Sequence, residues 1–149
     1  MAGTKETELQ IVDRASDAVT PVVHGGLRPS WSRSPNGPIA FLRITEGQPV
    51  QVSSQEIWLV NPDGSNPRKL SQGGSTSWSR DGRLFFFTLT SNHRLELRSV
   101  MPDDPEKSLK MYYEVEGYPT VSPDGTMVAY SMLGQLMVRR LADNTETLS

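Results

Sequence analysis

The amino-acid sequence predicts an all-β fold, a partial β-propeller made of four-stranded antiparallel blades. A segment with a Trp or Val, a tight turn and an apolar strand occurs three times along the 149 residues. The marker residues of the three copies, Trp31, Trp78 and Val121, lie 47 and then 43 residues apart. This period is typical of one propeller blade. Because one such unit cannot bury both of its faces, we expect the units to stack on one another.

Each unit begins with a strand that ends at the marker residue, and a turn motif follows. The motif is Ser-Arg-Asp-Gly in the second unit and Ser-Pro-Asp-Gly in the third, whereas the first unit reaches Gly37 with one extra residue. Asp accepts hydrogen bonds from the backbone of its own turn, and Gly tolerates a positive φ. We therefore predict hairpin turns with Gly82 and Gly125 at positive φ, stabilised by Asp81 and Asp124, which are not expected to hold a metal.

Three further strands complete each unit. The second strand is apolar on both faces, which is typical of a strand covered on both sides. It lies at residues 39–41, 84–87 and 127–130. The third strand lies at residues 56–60, 94–98 and 135–139, and the fourth ends near residues 71, 115 and 149. No segment predicts a helix. The first unit also carries an insertion from Ile44 to Gln55, and loops of this kind on a rigid scaffold often carry recognition.

Residues 8–26 match the second half of a unit, with a third strand, a turn and a fourth strand. We therefore expect a single domain over residues 1–149 that contains one half-blade and three blades. Their bounds are 8–26, 28–73, 75–116 and 118–149. The half-blade is expected to offer the unpaired edge of its inner strand for strand addition. At the other end, the pattern predicts an exposed apolar face built by Val128, Tyr130, Leu136 and Val138.

The composition excludes several classes of function. A net charge of -2 with dispersed basic residues gives no sign of binding to nucleic acid or to an anionic membrane surface. The absence of cysteine excludes disulfides and thiolate chemistry. No apolar run is long enough to span a membrane, and the polar N-terminus lacks the apolar stretch of a secretory signal. This N-terminal sequence fits an intracellular protein, and it also fits a protein whose secretory signal has been replaced. The sequence therefore assigns no compartment.

Three stretches carry a resemblance to a known family. They are the turn core of the Trp-Ser-Pro-Asp-Gly type, the strand Ile39-Ala-Phe41, and the segment from Ile57 to Ser71. Together they resemble TolB-type β-propeller repeats. The resemblance is good over residues 28–149 and weaker over residues 8–26. The first unit departs from the pattern by its longer turn, and the third by Val121 in place of Trp. The resemblance implies roles in protein–protein contact, including at a periplasmic membrane-associated complex. Similar propellers also cap serine peptidases of the prolyl oligopeptidase type, whose catalytic work belongs to another domain.

We expect no catalytic, cofactor-binding or metal-binding residues. The two histidines, His24 and His93, lie in different loops and lack the spacing of zinc ligands. An exposed imidazole is favoured over a proton-shuttling role for both. No Gly-x-Ser-x-Gly elbow occurs, and Gly73-Gly74-Ser75 is interpreted as a linker between blades.

Acidic and aromatic residues offer two alternatives to a purely structural role. Oxygen ligands for calcium are present in the turns, but Asp before Gly already stabilises its own turn. The acidic residues concerned are Asp63, Asp81, Asp103, Asp104 and Asp124. A carbohydrate-stacking platform formed by Trp31, Trp58 and Trp78 is the second alternative. The equivalence of Trp31 and Trp78 in the repeat favours packing between blades, and we expect all three to be core residues.

The leading hypothesis is a non-catalytic scaffold, without a cofactor, that mediates protein–protein interaction through propeller faces and loops. The alternative is the propeller fragment of an enzyme, either a prolyl-oligopeptidase-like peptidase or a sugar-active protein, whose catalytic domain lies outside this sequence. A third hypothesis is a subunit that completes its propeller with another polypeptide. Because exposed apolar faces generally mark interfaces, we expect a homo-oligomer or completion by another chain. The native mass separates an isolated fragment from an assembled propeller.

Overall fold

The structure is a computed structural model, and it describes residues 7–45, 47–48, 54–108, 110–115 and 120–141. Two strands come first, β1 (Glu8–Val12) and β2 (Val19–His24). Four follow, β3 (Leu27–Trp31), β4 (Ile39–Ile44), β5 (Gln55–Val60) and β6 (Arg68–Gln72). The next group is β7 (Gly74–Trp78), β8 (Leu84–Leu89), β9 (Leu95–Val100), α1 (Pro105–Ser108) and β10 (Lys110–Val115). The last is β11 (Thr120–Val121), β12 (Met127–Met132) and β13 (Gln135–Arg140).

Antiparallel pairing between successive strands sorts them into four sheets. Strands β1 and β2 form a two-stranded sheet, the half-blade. Strands β3 to β6 form the first blade, β7 to β10 the second blade, and β11 to β13 the three-stranded third blade. The fourth strand expected to end near residue 149, and residues 46 and 49–53 of the expected insertion, lie outside the described residues. The four sheets confirm the predicted all-β fold class, a partial propeller of antiparallel blades.

One element was not expected from the sequence. Residues Pro105–Ser108 form a single turn of α-helix in the connection between β9 and β10. Proline presets φ near the helical value and lacks an amide hydrogen, so it suits the first position of a helix. The prediction of no helix is therefore wrong at this connection, although a single turn leaves the all-β class unchanged.

Apolar side chains fill the junctions between neighbouring sheets. At the junction of the half-blade and the first blade, the buried residues are Leu9, Ile39, Phe41 and Val60. At the junction of the first and second blades, they are Ala40, Leu42, Ile57, Leu59, Trp78, Leu84, Phe86 and Val100. At the junction of the second and third blades, they are Phe85, Phe87, Leu97, Val121, Val128 and Tyr130. The core is therefore a series of layers between sheets.

The second strands β4 and β8 each contribute side chains to two junctions. In β4, Phe41 packs toward the half-blade, whereas Ala40 and Leu42 pack toward the second blade. In β8, Phe86 packs toward the first blade and Phe87 toward the third. Successive side chains of a strand point to opposite faces, so an uninterrupted apolar run is what two covered faces require. The prediction made from these runs is confirmed for β4 and β8. It is wrong for the third run, in which Met127 is 37% exposed on the side away from the second blade.

The turn of the third blade is one residue longer than that of the second, and this difference changes which side chains are buried. Five residues separate Trp78 from its cross-strand partner Leu84, whereas six separate Val121 from Val128. One extra residue moves all later side chains to the opposite face of the strand. Val128 and Tyr130 therefore pack against the second blade, and the prediction that they form an exposed face is wrong.

The three marker residues differ in burial. Trp78 and Val121 are 3% and 6% exposed, which confirms that they pack between blades. Trp31 is 45% exposed, so the expectation that it is a core residue is wrong. Trp78 lies against the four-stranded first blade, but the sheet in front of Trp31 has only two described strands. The burial of this position thus depends on the neighbouring sheet as well as on the residue itself.

Replacing Trp78 by Ala should lower the free energy of unfolding by about 3–5 kcal/mol, because the change deletes a large aromatic side chain from a packed junction. The matched variant Trp31→Ala should lower it far less, since Trp31 is half-exposed. Denaturant unfolding followed by circular dichroism measures both changes. Equal losses in the two variants would contradict the burial assigned to the two indoles.

Candidate interaction surfaces

An apolar groove lies at the start of the row of sheets, between β1 of the half-blade and β3 of the first blade. Its volume is about 230 Å³, and its apolar walls include Leu9, Ile11, Val12, Pro29, Trp31 and Ile39. We call it the Trp31 groove. The side chains of Val12 and Trp31 are exposed along it, so the groove is an accessible apolar surface.

The indole of Trp31 forms a hydrogen bond within its own turn. Its Nε1–H donates to the carbonyl oxygen of Gly37 at 3.2 Å. The equivalent group of Trp78 donates across a junction, to the carbonyl oxygen of Ser30 at 2.9 Å. The indole at this repeat position therefore joins two blades through Trp78, whereas the indole of Trp31 bonds to its own blade.

Residues 9–12 of β1 and Val22 of β2 line the Trp31 groove on the side of the half-blade. In the part of the chain that the structure describes, β1 pairs with β2 alone. The third strands of the first and second blades, β5 and β9, are paired on both edges. The second edge of β1 presents backbone N–H and C=O groups that can pair with an added strand.

The opposite end of the row also exposes apolar side chains. Met127, Leu136 and Val138 lie on the side of the third blade that faces away from the second blade, and we call them the third-blade face. Leu136 and Val138 are 77% and 54% exposed, as the sequence predicted. Val128 and Tyr130, which were predicted for the same face, are buried on the other side.

Leu133 was not singled out by the sequence analysis. It precedes Gly134 in the turn between β12 and β13, and the two residues have φ values of 49° and 75°. Asn or Asp usually occupies the first of these positions in a two-residue hairpin, and a bulky apolar residue there is uncommon. The side chain of Leu133 is 84% exposed, so it adds an apolar group at the tip of this hairpin. The feature of the sequence that could have indicated this exposed group is an apolar residue directly before Gly in a hairpin turn.

A second cluster that the sequence did not reveal surrounds Trp58. The guanidinium carbon of Arg43 lies 4.4 Å from the ring centroid of Trp58, and the Arg43 side chain donates to the His24 carbonyl oxygen at 3.0 Å. The indole of Trp58 and the ammonium of Lys69 both donate to Glu56, at 2.9 and 2.7 Å. These two bonds, first that of Lys69, hold the pKa of the Glu56 carboxyl below its ordinary value.

The three Trp side chains do not form one platform. Trp78 is buried in a junction, Trp58 is half-buried with one ring face against Arg43, and Trp31 lies in its groove at the first end of the row. Cation–π contact of this kind already occupies the Trp58 face. The positions of the indoles therefore favour separate packing roles over a shared sugar-stacking surface.

The two histidines lie apart, as their sequence positions suggest. His24 Nδ1 is 3.2 Å from a carboxylate oxygen of Glu8 at the exposed end of the half-blade. His93 adopts a φ of 59° in the turn between β8 and β9. Among the described residues, no group of three or more His, Cys, Asp or Glu side chains has the arrangement of a metal site. The same part of the chain holds no helix long and apolar enough to cross a membrane.

The turn aspartates occupy the positions that the sequence predicted. A side-chain oxygen of Asp124 accepts from the Ser122 hydroxyl at 2.5 Å, and from the amide and hydroxyl of Thr126 at 3.0 and 2.9 Å. The Ser122 bond first, and then the Thr126 bonds, lower the pKa of Asp124 to about 2. Asp81 accepts from Ser79 and from the Arg83 amide in the equivalent turn.

The glycines that follow these aspartates have the predicted backbone conformation. Gly82 and Gly125 have φ values of 88° and 73°, which confirms the prediction. A Cβ atom on Gly125 would also lie 3.0 Å from Cβ of Ser79 in the neighbouring blade. The two turns are further joined by a hydrogen bond of 2.6 Å from the Arg80 amide to the Pro123 carbonyl. These turns therefore help to fix one blade against the next.

Solved structures with similar folds include a TolB protein and an oligogalacturonate lyase. TolB from Acinetobacter baumannii superposes with a TM-score of 0.66 at 19% identity, over 92% of this chain and 35% of TolB. An oligogalacturonate lyase in complex with manganese superposes with a TM-score of 0.65 at 18% identity, over 87% of this chain and 38% of the lyase. The chain thus spans little more than a third of either protein. It has a TolB-like β-propeller fold, and identities at this level establish the fold alone.

No protein-family model and no curated protein matches the sequence.

Asp124 should contribute to the decrease of the free energy of unfolding at acid pH. Its pKa in the folded protein is about 2, against an ordinary value of 3.8, so its stabilising effect is complete above about pH 4 and is lost as the pH falls toward 2. Replacing Asp124 by Asn should therefore lower the free energy of unfolding most at neutral pH and progressively less as the pH falls. Ser122→Ala removes the hydrogen bond that lowers the Asp124 pKa most, so it should also lower the free energy of unfolding more at neutral pH than in acid. Parallel stability curves for parent and variants between pH 4 and 2 would refute this.

Proposed function

We propose that this chain is a non-catalytic propeller scaffold that mediates protein–protein interaction as part of a larger assembly. The observation that carries the proposal is the exposure of apolar blade surface at both ends of the described row. The Trp31 groove lies at one end and the third-blade face at the other. Accessible apolar patches of this kind generally mark interfaces.

The residues with reactive chemistry have local structural roles that agree with this proposal. Asp81 and Asp124 accept hydrogen bonds inside their turns, and Glu56 accepts from Lys69 and Trp58. Such bonds stabilise the deprotonated carboxylate and keep it oriented within the blade. A general acid or base needs a pKa near the working pH, and the lowered pKa of Asp124 is unsuited to that task.

Self-association is the simplest form of the proposed interaction. Strongly exposed Leu136 and Val138 provide a surface that a second copy can cover, and closed two-fold pairing is the commonest arrangement of soluble homo-oligomers. Completion by a different chain is the other form, and it uses the same exposed ends.

Light scattering of the 149-residue chain at micromolar concentration should give a mass that is a multiple of the single-chain mass. Leu136→Asp should shift the equilibrium toward the monomer, because it places a charge on the third-blade face. Gln135→Asp is the matched control, since it adds the same charge at the neighbouring exposed position. A cooperatively folded parent that stays monomeric would refute self-association. Equal dissociation in both variants would refute the third-blade face as the contact.

The propeller part of a sugar-active enzyme is a second candidate, favoured by the fold similarity to the oligogalacturonate lyase. This candidate rests on analogy of fold, which the scaffold proposal does not need. Calorimetric titration of the chain with oligogalacturonate, with and without manganese, separates the two. Saturable stoichiometric binding would favour the enzyme candidate, whereas the scaffold proposal predicts none.

A further inference from the structure

A polar pocket lies between the first and second blades, and we call it the Thr88 pocket. Its volume is about 250 Å³. One wall is the connection between β6 and β7, at Gln72 and Gly73, and the other is the end of β8 and the turn after it, from Thr88 to His93. We propose that this pocket binds a neutral polyhydroxylated ligand of the size of a monosaccharide. The proposed scaffold function does not require this site.

The same place in the preceding junction is occupied by an arginine side chain. Arg43 of β4 and Thr88 of β8 are equivalent positions, because each pairs with the second residue of the strand that follows. The Arg43 guanidinium donates to the carbonyl oxygen of His24, at the end of β2, at 3.0 Å. Thr88 is several atoms shorter, and Gln72 at the end of β6 lines a pocket instead. The pocket therefore arises because a short hydroxyl side chain stands where the preceding blade has a long cation.

The hydroxyl of Thr88 is the first group that calls for a ligand. Leu84, Phe86 and Thr88 are alternate residues of β8, so all three side chains point toward the first blade. Thr88 is only 8% exposed, and in the described part of the chain its hydroxyl forms no hydrogen bond. A buried hydroxyl without a partner is unfavourable, so a ligand in the pocket can supply a hydrogen bond that the protein does not.

The turn after β8 places an imidazole at a position that favours glycine. The His93 amide donates to the Thr90 carbonyl at 3.0 Å, and the Thr90 amide donates to the Arg94 carbonyl at 2.8 Å. This pattern is that of a three-residue hairpin loop, whose last residue has a positive φ and is usually Gly. His93 has a φ of 59° there. An imidazole held in this conformation beside a pocket points to a role in binding.

The side chains along the pocket define the chemical class of the ligand. They include the carboxamide of Gln72, the hydroxyls of Thr88, Thr90 and Ser91, and the imidazole of His93. No Lys, Arg, Asp or Glu lines the pocket, so a charged ligand would lose hydration without gaining an ion pair. Hydroxyl, carboxamide and imidazole groups can all donate and accept hydrogen bonds. The hydroxyl groups of a neutral sugar have the same two capacities, and they therefore match this lining.

The dimensions of the pocket agree with a single sugar unit. Thr88 and Thr90 both line it and are two residues apart, which is about 7 Å along an extended chain and comparable to the width of a sugar ring. Thr90 Oγ1 accepts from the Arg94 amide at 3.2 Å, so its O–H can still donate to a ligand. The volume is below the roughly 300–1,000 Å³ of pockets for drug-sized molecules. A longer saccharide would therefore extend from the pocket into solvent.

Neutral monosaccharides are the probes that test this site. Glucose, galactose and mannose are titrated separately into the isotope-labelled 149-residue chain, and amide chemical shifts are followed by NMR. We expect at least one sugar to bind with a Kd on the order of 1–10 mM, as the size of the ligand allows. The shift changes should lie at residues 72–73 and 88–93. Galacturonate and glucosamine are the matched charged probes, and each should bind about tenfold more weakly.

Two substitutions should weaken sugar binding without destabilising the fold. Thr88→Val keeps the shape of the side chain and removes the hydroxyl, whereas His93→Gly removes the ring and relieves the positive φ. Each should raise the Kd by about threefold or more, while the free energy of unfolding stays equal or rises. Purely structural roles would give the opposite result, a loss of stability with unchanged binding. Asn92→Ala is the control in the same turn, outside the lining, and should change neither quantity.

A third substitution closes the pocket. Thr88→Arg copies the residue at the equivalent position of β4, so its side chain should occupy the pocket and abolish sugar binding. The amide spectrum away from residues 72–73 and 88–93 should stay unchanged, which shows that the blades remain packed. Sugar binding that persists in this variant would overturn the inference.

Absence of binding by all three neutral sugars up to about 50 mM would also overturn it. Charged sugars that bind as tightly as neutral ones would refute the assigned ligand class. A chain that stays monomeric in light scattering but binds a neutral sugar refutes self-association and supports this site. A chain that associates but binds none of the sugars keeps the proposed function and refutes the site.

Discussion

The structure depends on one constraint, which is that a sheet with two apolar faces must be covered on both sides. Strand β8 shows it most clearly, because Phe86 and Phe87 are adjacent in sequence and buried in different junctions. Each blade is therefore stabilised mainly by its neighbours, and burial of apolar surface between sheets is the main favourable contribution. The bond between the Arg80 amide and the Pro123 carbonyl, the close approach of Gly125 to Ser79 and the Trp78 indole bond each bring one blade close to the next.

The same constraint connects the fold to the proposed interaction. Where a neighbouring sheet is complete, as in front of Trp78, the indole is buried and donates across the junction. Where the neighbouring sheet is the two-stranded half-blade, Trp31 is exposed and donates within its own turn. An identical residue in an equivalent repeat is thus buried in one place and half-exposed in the other. The proposed function, in which a partner covers the open ends, uses this difference in packing.

Much of the architecture was predictable because it repeats. The period of the marker residues predicted the blades, and Asp-Gly in the turns predicted positive φ at Gly82 and Gly125. The burial of Val128 was not predictable by aligning motifs, since one added turn residue reverses the face of a strand. The exposure of Trp31 and the contact of Arg43 with Trp58 depend on neighbours distant in sequence, about which a local pattern carries no information. The sequence therefore predicted that the candidate surfaces lie at the two ends of the row of blades, but it did not correctly identify all the residues that form them.

A double-mutant cycle across the junction of the first and second blades tests whether neighbouring blades stabilise each other. Leu59 and Trp78 belong to different blades and to one buried cluster. We expect Leu59→Ala and Trp78→Phe, measured singly and together by denaturant unfolding, to show a coupling energy of about 0.5–3 kcal/mol. Strictly additive losses would mean that each blade is stabilised on its own, and that result would contradict the dependence of the fold on neighbouring blades.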